Sequence, residues 1–178
     1  MFGFAKFLVD HTDVQNNYRL YRNFDKLFGH KVDELVTDPY LAKLTKTPIP
    51  LERGEPGTFL YSYHSWADKN GISVPKTNEM HGLLKSWVLR RSLKLHDMLH
   101  VLLGMDTDPW SEMYVVAASY KMMDPVIGNA WRLGHLLSKD KDAYNLGLGV
   151  SVYEDLFRYR LEEHWGTPIE DLRRRLIK

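Results

Sequence analysis

The chain has 178 residues, of which 44% are hydrophobic and 26% charged, and a formal net charge of +1. This composition fits one globular domain with a substantial core. The near-zero charge excludes a general nucleic-acid binder, and the absence of cysteine excludes disulfides, thiolate metal sites and cysteine nucleophiles.

The opening stretch MFGFAKFLV is apolar but lacks a basic leader, a long apolar region or a small-residue cleavage pattern, so no signal or transit peptide is expected. Capping-box spacing at Thr12 and Gln15, followed by Val14, Tyr18, Tyr21, Phe24, Leu27 and Phe28, predicts a helix over about 13–28, stopped at Gly29. One or two short helical pieces follow to Leu44, with a restart at Pro39 behind Asp38. The Pro- and Gly-rich stretch TKTPIPLERGEPG (45–57) reads as an irregular loop.

Thr58–Asn70 reads as a helix ended by Gly71. A loop through Val74 and Pro75 then leads to Asn78 as the cap of one long helix over about 79–103, apolar nearly all round and therefore central. Gly104 ends that helix, and Asp108–Pro109 open the next, with Glu112 in its first turn. Asp124–Pro125 signal a helix to about 137, Ser138–Asp142 a break, and Tyr144–His164 another helix loosened at Gly147 and Gly149. Thr167–Pro168–x–Glu170 starts the closing helix, whose basic end suits a helix C-terminus. The expected fold is all-α: a single-domain bundle of seven or eight helices around a long central one.

That central helix carries the chemistry. Each helical residue advances about 100° and rises about 1.5 Å, so His96 and His100 stand roughly 40° apart on one face, one turn from each other. Asp97 lies roughly 100° round from His96 by the same arithmetic. Leu93, Leu95, Met98, Leu99, Val101, Leu102 and Leu103 surround them. Ionisable groups inside an apolar helix are costly unless paired. A short link makes the next helix an antiparallel neighbour and turns Glu112 back toward His100. Two imidazoles and two carboxylates suit a divalent metal, zinc by default, although manganese, iron or cobalt also accept this sulfur-free set. The competing reading is a buried His–Asp network that only fixes helix packing.

His11, His30 and His64 are expected at polar or interfacial positions; His81, His135 and His164 are expected to pack or cap. His64 or His81 with Asp124 could be drawn into a His-Asp phosphohydrolase pattern, but their spacing gives it no support. Arg90 shares the motif's side of the helix; it and Arg91 could hold a ligand's phosphate or carboxylate, or form structural salt bridges. Lys121, Asp124, Trp131 and Arg132 receive no role.

The spacing H-D-x-x-H-x11-E, met by His96, Asp97, His100 and Glu112, resembles the signature of the fourth coenzyme Q biosynthesis protein family. The segment GTFLYSYHSWADKNGIS, the core LHDMLHVLLGM with S-E-M beyond it, and the tail LEEHWGTPIEDLRRRL resemble the family's other conserved stretches. Together they cover roughly residues 38–176 and point to a bacterial-type member. The resemblance implies an all-helical, peripheral membrane protein of ubiquinone biosynthesis, cytoplasmic in a bacterium. It implies a divalent metal held by His96, Asp97, His100 and Glu112, the same residues serving as the catalytic set. It also implies a bound prenyl lipid or prenylated quinone precursor, homodimerisation, and association with other ubiquinone-biosynthesis proteins.

The function this suggests is oxidative C1 decarboxylation of a polyprenylated hydroxybenzoate, a carbon–carbon lyase step. The alternatives are a non-enzymatic lipid-binding scaffold for the biosynthetic complex and a metal-dependent hydrolase of a prenyl phosphate. Membrane attachment is expected through exposed apolar residues, Phe2, Phe4, Phe7 and Leu8 among them.

Overall fold

A computed structural model of the chain describes residues 14–120, 141–150 and 156–177. The all-helical expectation is met. Among the described residues the elements are α1 (Val14–Leu35), α2 (Pro39–Lys46), α3 (Phe59–Lys69), α4 (Val74–Gly82), α5 (Trp87–Leu103), α6 (Pro109–Tyr120), α7 (Lys141–Gly149), a 3-10 turn (Leu161–Glu163) and α8 (Ile169–Leu176). The helix expected over 125–137, and with it Lys121, Asp124, Trp131, Arg132 and His135, lies outside the described residues. So do His11 and the apolar N-terminal residues.

The central helix is α5, on which α1, α2, α3, α4, α6 and α8 all pack. Its Val88, Leu89, Leu95, Met98, Leu99, Val101 and Leu102 are buried, and most join one core with Phe59, Tyr63, Trp66, Leu156, Phe157, Leu161 and Leu172. Apolar residues around so much of its circumference are what this burial on several sides requires.

The helix expected over 79–103 is instead two. Ser73 precedes α4, Pro75 occupies its first turn, and the chain breaks after Gly82 before α5 begins behind Ser86. The break is held from α1. Asp25 accepts the amides of Lys85 and Ser86, both at 2.8 Å. Asp33 accepts those of Trp87 at 3.3 Å and Val88 at 3.2 Å and the Ser86 hydroxyl at 2.7 Å. Ser86 Oγ in turn accepts from Leu89 N. These contacts satisfy the amides that a new helix start leaves open. The same arrangement explains why α1 does not stop at Gly29: it continues to present Asp33 and to bury Val32. Asn78 caps nothing; its side chain clasps Ile49 N and O, both at 2.8 Å, and so straps the 45–57 loop onto α4.

The expected helix over 144–164 is also corrected. α7 starts at Lys141 and ends at Gly149, and a 3-10 turn follows at Leu161–Glu163. Gly147 marks close approach rather than looseness: a Cβ there would lie 2.3 Å from Tyr114 O and 2.8 Å from Ala117 Cβ. Gly147→Ala must push α7 off α6, and overpacking of this kind costs about 1–3 kcal/mol. Thermal unfolding should show the loss; an unchanged midpoint would mean the two helices do not pack this closely.

Candidate metal centre

Both ends of α5 are fixed, and that sets the histidines. Its C-terminus turns through Gly104 in the left-handed region (φ 70°), with Met105 N bonded back to His100 O at 2.8 Å. Arg173 of α8 donates to Leu102 O and Val101 O, both at 3.0 Å, satisfying carbonyls that the helix end leaves free. The following loop is pinned by α3. Trp66 Nε1 donates to Met105 O at 2.8 Å, Lys69 pairs with Asp106 at 2.7 Å, and Asn70 Oδ1 accepts from Thr107 N and Oγ1. Asp108 then caps α6 through Trp110 N and Ser111 N. Glu112, one turn on, is thereby aimed back at α5.

Three of the four motif side chains converge. His96 Nε2 lies 3.1 Å from Glu112 Oε2, His100 Nε2 lies 3.4 Å from Glu112 Oε1, and the two Nε2 atoms are 3.2 Å apart. Among the described residues these three form the cluster suited to a metal ion. His100 is its floor, 1% exposed and stacked on Trp66 at 5.4 Å between centroids. Its Nδ1 is turned toward the Asp106 backbone without closing a full hydrogen bond. The side chains of His96 and Glu112 are 18% and 20% exposed, so the cluster opens to one side.

The donor set fits a cation better than it fits a hydrogen-bond network. A neutral imidazole Nε2 carries either one hydrogen or one lone pair. If both carry hydrogen, both can donate to Glu112, but N–H then faces N–H across the histidine pair. If one carries a lone pair, that lone pair faces either the carboxylate or its partner. One edge of the triangle repels in every assignment. A cation at the open face would receive all three lone pairs, and ligands at about 2.0–2.2 Å from a tetrahedral zinc are themselves roughly 3.3–3.6 Å apart.

Burial opposes the Glu112 charge, but hydrogen bonds from His100 and His96 override it and hold the carboxyl well below the usual range. Burial likewise pulls His96 down, yet Glu112's hydrogen bond and charge, with the charge of Asp97, raise it overall. His100 is lowered, chiefly by burial.

Asp97 stands outside the triangle. Its side chain is 23% exposed and its Oδ2 lies 3.6 Å from His81 Nε2. Burial pushes the Asp97 carboxyl up to about 7, with the His96 charge opposing and the Glu112 charge adding. Tyr63, fully buried, has its hydroxyl pKa raised well above the usual value by burial and then by the Asp97 charge. Burial and the charges of Lys94 and Arg90 hold His81 down to about 3, so it is neutral near pH 7. His81 is thus a wall of the site, which its sequence context did not signal beyond its place in an apolar neighbourhood.

Of the remaining histidines, the three that lie among the described residues keep the roles expected of them. His30 is exposed, His64 Nε2 bonds Pro50 O at 2.9 Å, and His164 stacks on Tyr159 and meets Thr167 Oγ1 at 3.3 Å. Arg91 is wholly buried and serves structure, donating to Phe157 O at 3.0 Å, to Tyr159 O and to Glu162. Arg90 donates to Leu84 O.

Fold and site together define an all-helical domain with a His–His–Glu cluster open on one side, set on a doubly capped central helix. A family model described as coenzyme Q (ubiquinone) biosynthesis protein Coq4 matches residues 35–177. The chain belongs to that family, and its role is in ubiquinone biosynthesis. No curated protein and no solved structure matches it. The match includes the segments at 57–60 and 165–169, which meet in space: Phe59 N bonds Thr167 O, Leu60 N bonds Trp165 O, and the Phe59 and Trp165 rings stack at 5.0 Å. No helix among the described residues is long and apolar enough to cross a membrane.

Proposed function

We propose that His96, His100 and Glu112 hold a divalent metal ion, zinc by donor type, and that the site removes the C1 carboxyl of a polyprenylated hydroxybenzoate as carbon dioxide in an oxidative step of ubiquinone biosynthesis, water supplying the hydroxyl left at C1 and dioxygen taking the two electrons to give hydrogen peroxide. The observation that carries this reading is the convergence of two Nε2 atoms, 3.2 Å apart, on one carboxylate, with Glu112 Oε2 3.1 Å from His96 and Glu112 Oε1 3.4 Å from His100. Bound there, the metal would supply a Lewis acid for the ring carboxylate. The chain's own residues do the rest. Trp66 and the buried wall of α5 hold His100 rigid and keep water from the floor of the site. The pinned 104–108 loop fixes Glu112. The partly exposed edge of His96, Asp97 and Glu112 is the side from which a substrate enters.

Prenyl-lipid binding, attachment to a membrane surface, dimerisation and contact with other biosynthesis proteins belong to the same proposal. Their support is the family membership, together with exposed apolar side chains at Leu27, Leu35 and Leu83. A tail lying along apolar surface gains about 0.8 kcal/mol for each buried CH₂.

The test is elemental analysis of protein purified without added metal, followed by assay on a prenylated hydroxybenzoate with oxygen supplied. Near-stoichiometric zinc and loss of the carboxyl as carbon dioxide are expected, both abolished in His100→Ala. Metal-loaded protein that never decarboxylates the substrate would leave a metal-stabilised scaffold. Purified protein that takes up no divalent ion would remove the metal centre itself.

A further inference from the structure

The buried histidine of the site is the inner end of a line of aromatic rings. His100 stacks on Trp66 at 5.4 Å between centroids, Trp66 lies 5.7 Å from Tyr63, and Tyr63 lies 5.8 Å from Trp165. All three separations are those of rings in contact. Trp66 and Tyr63 are buried, one turn apart on α3, whereas Trp165, just beyond the 3-10 turn, is partly exposed. The line therefore runs from the site to solvent.

Packing accounts for aromatic rings here, but not for which rings they are. Phenylalanine at 63 would fill nearly the same space, and the Tyr63 hydroxyl is buried without closing a hydrogen bond, an arrangement that costs about 1–3 kcal/mol. A plain ring is accepted next door, where Phe59 stacks on the same Trp165 at 5.0 Å. What sets indole and phenol apart from a phenyl ring is that they give up an electron far more readily. Trp66 Nε1 donates to Met105 O at 2.8 Å, which steadies a positive charge on the indole. The Tyr63 hydroxyl neighbours the Asp97 carboxylate, which can take its proton.

We propose that Trp66, Tyr63 and Trp165 form an electron relay that protects the site from oxidants made in it. This rests on the oxidative reading above, in which dioxygen is reduced to hydrogen peroxide beside the imidazoles. Peroxide that takes one electron from a redox-active ion in the triangle leaves hydroxide and a hydroxyl radical, which otherwise attacks the imidazoles. Trp66 reduces that radical to hydroxide and is left as a radical cation. Tyr63 refills Trp66, its phenol proton passing to Asp97. Trp165 refills Tyr63, which recovers the proton. A thiolate in solution then reduces the Trp165 radical cation and leaves as a thiyl radical. The net change is one electron moved from thiolate to oxidant, with no bond of the protein made or broken.

Copper(II) binds nitrogen and oxygen donors more tightly than zinc does, and excess peroxide cycles it through copper(I) to make the same oxidant. The full chain, loaded with one equivalent of copper, is treated briefly with peroxide in the absence of thiol, and oxidised residues are located by peptide mass spectrometry. In wild type, added oxygen should appear at Trp165, with His96 and His100 largely spared. Tyr63→Phe, which removes only a hydroxyl, should cut oxidation at Trp165 several-fold and raise it at both histidines. Trp165→Phe should hold the damage at Tyr63. Trp110 is 38% exposed and lies off the line, so it reports oxidant that travels through solvent and should be unchanged in both variants.

Equal oxidation of Trp165 in wild type and Tyr63→Phe would overturn the relay, as would a fall at Trp165 matched by an equal fall at Trp110. An oxidation map that His100→Ala leaves unaltered would place the copper outside the triangle. In that case the metal reading and this inference fall together.

Discussion

Replacing Glu162 with leucine is expected to destabilise the protein by about 3–5 kcal/mol, the range for breaking a buried ion pair. The midpoint of thermal unfolding should fall by roughly 6–20 °C at this chain length. The reason is the charge inventory around α5. Arg91 and Glu162 are buried and bonded to one another, and Lys94, also buried, stands 3.7 Å from the same carboxylate oxygen. One anion therefore serves two cations. Removing it leaves Arg91 buried and still charged, since a guanidinium does not deprotonate at accessible pH.

Lys94→Met should behave differently, because it leaves a balanced Arg91–Glu162 pair and orphans the lysine's contacts to Thr45 O and Thr47 O. Burial already opposes the Lys94 charge and, with Glu162 opposing, brings the group down to about 8. Between about 8 and 10.5 the unfolded chain holds the proton that the folded chain has released, so wild-type stability should gain across that window. Denaturant titrations of wild type and Lys94→Met at pH 7 and pH 10 isolate this contribution. Lys94→Met costing as much as Glu162→Leu would show that the cluster is not short of negative charge.

Neither that cluster nor the walls of the metal site could be read from residue spacing. The four-residue step from His96 to His100 is a local property of one helix, and the turn that returns Glu112 is written locally by Gly104 and Asp108–Pro109. Those features were legible for that reason. The division between α4 and α5 was not, because the amides it exposes are satisfied by Asp25 and Asp33, more than fifty residues earlier in the chain. Periodicity alone also gave no means of ranking Arg90 and Arg91, since the partner that settles the matter, Glu162, is 71 residues away. The same limit applies to Asp97. Its place on the helix follows from arithmetic, but its aim is set by Tyr63 and His81, which arrive through the packing of α3 and α4.

Saturating the wild-type protein with zinc at about 1,000 times its dissociation constant is expected to add about 4 kcal/mol to its stability, while His100→Ala gains nothing. For a chain of this size the wild-type midpoint should rise by roughly 8–16 °C. The contrast is informative because His100 is the floor of the triangle, buried and stacked on Trp66. The variant still has seven histidines, so metal binding to its unfolded chain would shift the midpoint down, opposite to the effect sought. Acid should erode the wild-type gain. Glu112 remains a carboxylate well below neutral pH, but its hydrogen bond to His96 favours the proton that a metal must displace. Zinc uptake should therefore release a proton and weaken as pH falls through the raised His96 pKa. Calorimetric titration in buffers of different ionisation enthalpy measures that release. A zinc-induced rise in midpoint equal in wild type and His100→Ala would place the ion elsewhere on the molecule and detach the triangle from the function proposed for it.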